Sequence, residues 1–167
     1  MPYTTSQFGA QFGLRILDNL QSYLEASTGT ALTAIDATLE NFADYRTPTP
    51  IVLNFPSLFV SSSNTTIEQS DDDSHLISEI ELYIDVALDG VDTYALQRSM
   101  LKYLLAIDRV IRSMTSTDLL GPNWNTGGIV TEPIWEVTAH QFGVLRQADT
   151  IYRLDARIVL VVQLLER

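Results

Sequence analysis

Hydrophobic and polar positions alternate with period two along residues 76–88. Ile80, Leu82, Ile84 and Val86 fall on one side, and Glu79, Glu81, Tyr83 and Asp85 on the other. This is the pattern of a strand with one face on a core and one face exposed. The exposed face is acidic. After Asp89-Gly90 the period becomes helical. At about 100° per residue, Leu96, Met100, Tyr103, Leu104, Ile107, Val110, Ile111 and Met114 make one apolar face. Arg98, Lys102, Arg109 and Arg112 make a narrow stripe opposite, with Asp108 at its margin.

Upstream, Phe8, Phe12, Ile16, Leu20 and Leu24 recur at helical spacing and predict a first helix, capped by Thr4 or Thr5 and running to about Glu25. Gly9 and Gly13, on an adjacent strip, suit close helix packing. Ala26-Ser27-Thr28-Gly29 reads as a break. A second helix starts at Thr30 or Thr33 and carries Leu32, Ile35, Leu39 and Phe42 as its apolar stripe, with Asp36, Glu40 and Asp44 on its acidic side. Thr47-Pro48-Thr49-Pro50 stops it. Residues 51–60 read as an extended segment that Pro56 places at an edge or bulge.

Residues 61–75 are polar and of low complexity, with Asp71-Asp72-Asp73 near their end, and predict a long mobile hairpin tip or loop. Residues 115–128 predict an irregular insertion with Gly121-Pro122 and Gly127-Gly128 as breakers. Two further strands are expected at 129–145 and 150–165, joined by a turn at 147–149. In the last strand Leu154, Ala156, Ile158, Leu160, Val162 and Leu164 share one parity, and its end is apolar on both faces, as a central strand would be. The expected fold is therefore α+β: a mostly antiparallel four-stranded sheet with two N-terminal helices and one long central helix on one face, forming a single domain over 1–167.

The chain is acidic, with 21 Asp and Glu against 10 Lys and Arg and a net charge of -11. That balance disfavours general nucleic-acid affinity, which rests on phosphate neutralisation, and binding to anionic membrane surfaces. The N-terminal residues show no basic region followed by an apolar run, so no signal peptide is expected, and production in the cytoplasm is. Only Lys102 is lysine; the other nine bases are arginine. Arginine suits bidentate, partly desolvated carboxylate pairs at protein interfaces.

Catalytic signals are poor. With no cysteine, thiol catalysis and disulfides are excluded. His75 and His140 lack a fixed partner. Asp71–Asp73 with His75 match no Ca²⁺-loop spacing, and an acidic loop is ordinarily solvated. Glu79, Glu81 and Asp85 have carboxylates for acid–base work but no pocket signal beside them. No phosphate-binding, nucleophile-elbow or zinc motif occurs. Trp124 reads as core or interface and Trp135 as core. The expectation is a protein that is not an enzyme and uses no cofactor or metal.

In its layout the chain resembles tailed-bacteriophage neck and tail-completion proteins, in particular the tail terminator family. The resemblance is carried by the paired N-terminal helices, the entry into a strand at Thr47-Pro48-Thr49-Pro50, the acidic strand over 79–87, the helix over 91–114 and the closing strand over 156–166. It implies a virion subunit that forms a ring of copies of itself, six of them, capping the tail tube and joining it to the neck and connector around the DNA path. DNA would pass without specific binding. Arg98, Lys102, Arg109 and Arg112 are then expected at the inter-subunit contact, and Asp71, Asp72, Asp73, Glu79, Glu81 and Asp85 facing the lumen or a partner. Another neck or head-completion protein (a stopper or adaptor) and a small acidic assembly chaperone remain as alternatives.

Overall fold

The computed structural model describes residues 7–45, 54–69, 76–125 and 132–166. The predicted first-helix cap, the Thr47–Pro50 stop, the Asp71–Asp73 run with His75, and Gly127-Gly128 lie outside them.

One helix, α1 (Gln7–Ile35), stands where two were expected. Ile16, Leu20, Leu24, Thr28 and Leu32 recur at every fourth position and all are buried. A single stripe thus passes straight through the predicted break. The Thr28 hydroxyl donates to the Leu24 carbonyl, so its polar group is satisfied within the helix. At Gly29 a Cβ would come within 2.9 Å of the Asn41 amide nitrogen. This glycine makes room for a neighbour; it does not end the helix. Residues 36–45 are turn and coil instead of a second helix. Phe42 is buried there, its ring 5.1 Å from that of Tyr103.

Five strands form one antiparallel sheet: β1 (Ser57–Gln69), β2 (Leu76–Gly90), β3 (Ile134–Phe142), β4 (Arg146–Ala148) and β5 (Ile151–Glu166). The order is β1-β2-β5-β3, with β4 also pairing with β5. The α+β class and the antiparallel sheet match the sequence; the strand count does not. The segment read as a loop is strand as far as Gln69, because β2 offers it a full ladder from Ser57↔Ala87 to Gln69↔Leu76. Backbone pairing decides there, and composition does not report it. At the other end, residues 149–150 form the turn between β4 and β5.

Register places Leu58 and Val60, then Ile80, Leu82, Ile84, Val86 and Leu88, then Leu154, Ala156, Ile158, Leu160, Val162 and Leu164 on one face, all buried. The helix α2 (Thr93–Ser113) covers that face with Leu96, Met100, Leu104, Ile107, Val110 and Ile111. The Asp92 side chain caps it, accepting from the Tyr94 and Ala95 N–H groups at 2.9 and 3.0 Å. A short helix, α3 (Ser116–Leu120), follows within the segment expected to be irregular; Thr115 and Asp118 close its first turn as a capping box. α1 packs on α2, α3 and the sheet. Trp135 sits at the margin of this core, its indole N–H 3.3 Å from the Ile111 carbonyl.

Both edge strands carry a bulge. Ser63 is the extra residue in β1, where the register passes from Ser62↔Leu82 to Asn64↔Glu81. Thr138 is the extra residue in β3, between Val137↔Leu160 and Ala139↔Val159. The bulge keeps Trp135 and Val137 on the core side, and beyond it puts His140 and Phe142 there. β3 and β4 share the edge of β5 that β2 leaves free, interrupted at residues 143–145. Gly143 closes on β5 there: its N–H lies 2.8 Å from the Asp155 carbonyl, and a Cβ would approach the same oxygen to 3.0 Å.

Candidate functional site

The helices cover only one face of the sheet. The other, formed by the odd-numbered residues of β2 and β5 with their register partners, carries no helix among the described residues. It divides into two zones. The first is a trough of about 420 Å³ lined by Phe59, Asp85, Gln141, Arg146, Arg153 and Arg157 among others. Its charges are largely matched within the chain. Arg157 grips Asp85 through both oxygens, at 2.7 and 3.0 Å, and lies 4.0 Å over the Tyr83 ring. That hydrogen-bonded carboxylate holds the Arg157 guanidinium above its ordinary pKa. Arg153 bonds Asp155 at 2.9 Å and lies 5.2 Å over Phe55.

The second zone is acidic. Cross-strand rows run Glu81–Val161–Glu136 and Glu79–Gln163–Ile134 over β2, β5 and β3. Glu79 accepts from the Gln163 amide at 2.8 Å and Glu81 from the Ser63 hydroxyl at 2.8 Å. None of Glu79, Glu81 and Glu136 has a cationic partner among the described residues. Ile134, 69% exposed, stands among them.

A different surface lies on the outside of α2. Tyr94, Arg98, Leu101, Leu105, Arg109 and Arg112 share an arc of about 80° at 100° per residue, pointing away from the core, and all are exposed. Arg98 lies 5.8 Å over the Tyr94 ring. Arg109 and Arg112 have no acidic partner among the described residues. Leu101 and Leu105 continue sideways into the β3–β4 edge, where Gln97, Leu101, Phe142, Leu145 and Leu154 line a shallow depression. Val144, 77% exposed, borders it. Asp108 meets His140 here, Oδ1 to Nε2 at 3.1 Å, so the histidine has a local partner after all.

Of the residues predicted to act between subunits, Arg98, Arg109 and Arg112 stand together and outward. Lys102 does not join them. It is half-buried and bonds Asp36 of its own chain, tying α2 to the turn after α1. Asp85 is likewise engaged, by Arg157, while Glu79 and Glu81 share the open face as expected. Asp71, Asp72 and Asp73 lie outside the described residues. The sequence reading passed over Leu101 and Leu105, apolar residues on the wrong side of an amphipathic helix. It also passed over Ile134, Glu136, Phe142 and Val144, whose exposure depends on which edge of β5 they occupy.

The Lys102–Asp36 contact has a pH signature. The Asp36 carboxyl is held well below its ordinary value of 3.8, first by the hydrogen bond from Lys102 and then by the Thr38 hydroxyl and N–H. A carboxyl whose folded pKa lies below its unfolded one adds stability that is complete above the unfolded value and disappears as pH falls through the folded one. Wild type should therefore melt above Asp36→Asn by a constant margin near neutrality. The margin should shrink steadily below about pH 4. Thermal melts across that range check this; a margin independent of pH would contradict it.

No family model matches the chain, and no curated protein matches it. Among solved structures, a chain in the virion of a native gene transfer agent particle is similar over 84% of this chain and 93% of that one, at 16% identity and a TM-score of 0.36. A likeness of that degree carries no function over to this chain. No helix among the described residues is long and apolar enough to cross a membrane.

Proposed function

We propose that this chain is a structural virion protein of a tailed-phage-type particle, the repeating subunit of a ring. The observation that carries this reading is the pair of exposed surfaces described above, opposite in charge and each seeded with apolar side chains. A contact between two different patches of identical subunits is heterologous, and repeated it makes a ring where its rotation closes and a filament where it does not. What the structure leaves of the resemblance to tail terminators, the acidic strand, the helix after it and the closing strand, supports the finer assignment: six copies capping the tail tube and meeting neck and connector proteins. With a net charge of -11, the surface outside the contact between subunits would stay acidic on balance, and turned to the lumen it would repel passing DNA and keep it from adhering.

The test is the mass of the purified chain at high concentration by light scattering, with electron microscopy of the same sample. A closed ring with a central channel, at six times the 18.6 kDa of one chain, is expected. A monomer, or a two-fold dimer in which identical patches meet, would overturn the ring and favour the chaperone alternative.

A further inference from the structure

The ring reading leaves open which surfaces meet, and the inference that follows rests on that reading. We infer that the outer side of α2 in one copy docks on the acidic zone of the open sheet face in the next. The donor surface is Leu101, Leu105 and the neighbouring Phe142, with Arg98 and Arg109 beside them. All five are exposed. The acceptor is Ile134 and Val161 with Glu79, Glu81 and Glu136, contiguous across β2, β5 and β3.

Three features select a second copy of this chain as the occupant. First, each surface combines apolar side chains with charges of one sign, and the two signs are opposite. A partner with the acceptor's composition is what the donor needs, and the chain supplies it. Second, neither surface can pair with itself. Arginine would meet arginine in one case and glutamate would meet glutamate in the other, and like charges brought together across a contact are strongly unfavourable. A symmetric dimer through either surface is therefore disfavoured, and the contact is between unlike patches. Third, the two surfaces flank the same sheet edge. The donor reaches Phe142 at one end of β3, on the helix-covered side, and the acceptor includes Ile134 at its other end, on the open side. Because the two patches lie on opposite faces of the sheet, one copy can use both at once, as every member of a ring does. Seating a helix on the open face also covers the half-buried, apolar Val161 of β5.

Charge exchange tests this. One variant, Leu101→Glu with Arg109→Glu, reverses the donor. Another, Glu81→Arg with Ile134→Arg and Glu136→Arg, reverses the acceptor, leaving three guanidiniums against Glu79. Every altered position is accessible from solvent, so each variant should keep the circular dichroism of wild type. Each alone is expected to run at the 18.6 kDa of a single chain under conditions where wild type assembles. Mixed in equal amounts they should assemble again, because the unreversed pair and the doubly reversed pair both match in sign. If wild type forms a ring and either variant alone does so equally well, the ring stands and this contact is wrong. If both variants are folded and monomeric but the mixture does not assemble, the pairing of these two surfaces is likewise overturned. A wild type that stays monomeric would overturn the ring reading itself.

Discussion

Leu24→Ala should lower the free energy of unfolding by about 2–5 kcal/mol, the range for truncating a fully buried leucine with partial collapse of the site. Leu24 is buried without exposure in the middle of α1, two residues before the stretch that reads as a helix break. Were that break real, Leu24 would sit in a frayed last turn and its truncation would cost much less. Leu14→Ala is the control. Leu14 is in the same helix but 62% exposed, and the change should stay within about 0.5 kcal/mol of wild type. Chemical denaturation of the three proteins decides the matter. Equal midpoints for the two variants would show that the buried stripe does not run unbroken through Thr28.

Ser78→Ala should raise stability, by about 1 kcal/mol or somewhat more. Ser78 is fully buried on the core side of β2, between Ile67 of β1 and Leu164 of β5, and its hydroxyl finds no partner among the described residues. A buried hydroxyl left unpaired costs about 1–3 kcal/mol in lost hydration. Alanine removes the group and leaves a void of only one oxygen, so the polar cost relieved exceeds the packing lost. The readout is an upward shift of the denaturation midpoint at unchanged slope. A lower midpoint would mean that the hydroxyl has a hydrogen-bond partner, such as an internal water.

Much of the fold was legible wherever burial is one-sided. The even-parity runs in β2 and β5 and the apolar stripe of α2 each have one solvent-facing and one core-facing side, and their periodicity reports it. The misreadings have local causes. Gly29 and Thr28 look like helix breakers in isolation, yet one accommodates Asn41 and the other bonds within the helix. Ser61–Gln69 looks like coil because the far part of β1 is exposed and needs no apolar residues. Its strand state comes from the ladder with β2, which pairs residues such as Thr66 and Glu79.

The candidate surfaces were half legible. Sign-sorting placed Arg98, Arg109 and Arg112 together, and alternation placed Glu79 with Glu81. Sequence spacing does not show that Lys102 is held by Asp36, or Asp85 by Arg157 from 72 positions away. Nor does it show that Glu136 of β3 lies on the same rows as Glu81. Those are facts of strand order.

The two bulges have a consequence for solubility. A sheet with open edges can grow by adding strands from other molecules, which leads to fibres instead of a counted assembly. Here Ser63 breaks the regular spacing of one edge and Thr138 that of the other, and the gap at residues 143–145 breaks the second edge again. Bulged strands bend and twist, so each edge offers only short runs of unpaired N–H and C=O groups to an incoming strand. The chain is thereby steered from open-ended aggregation toward contacts made by side chains.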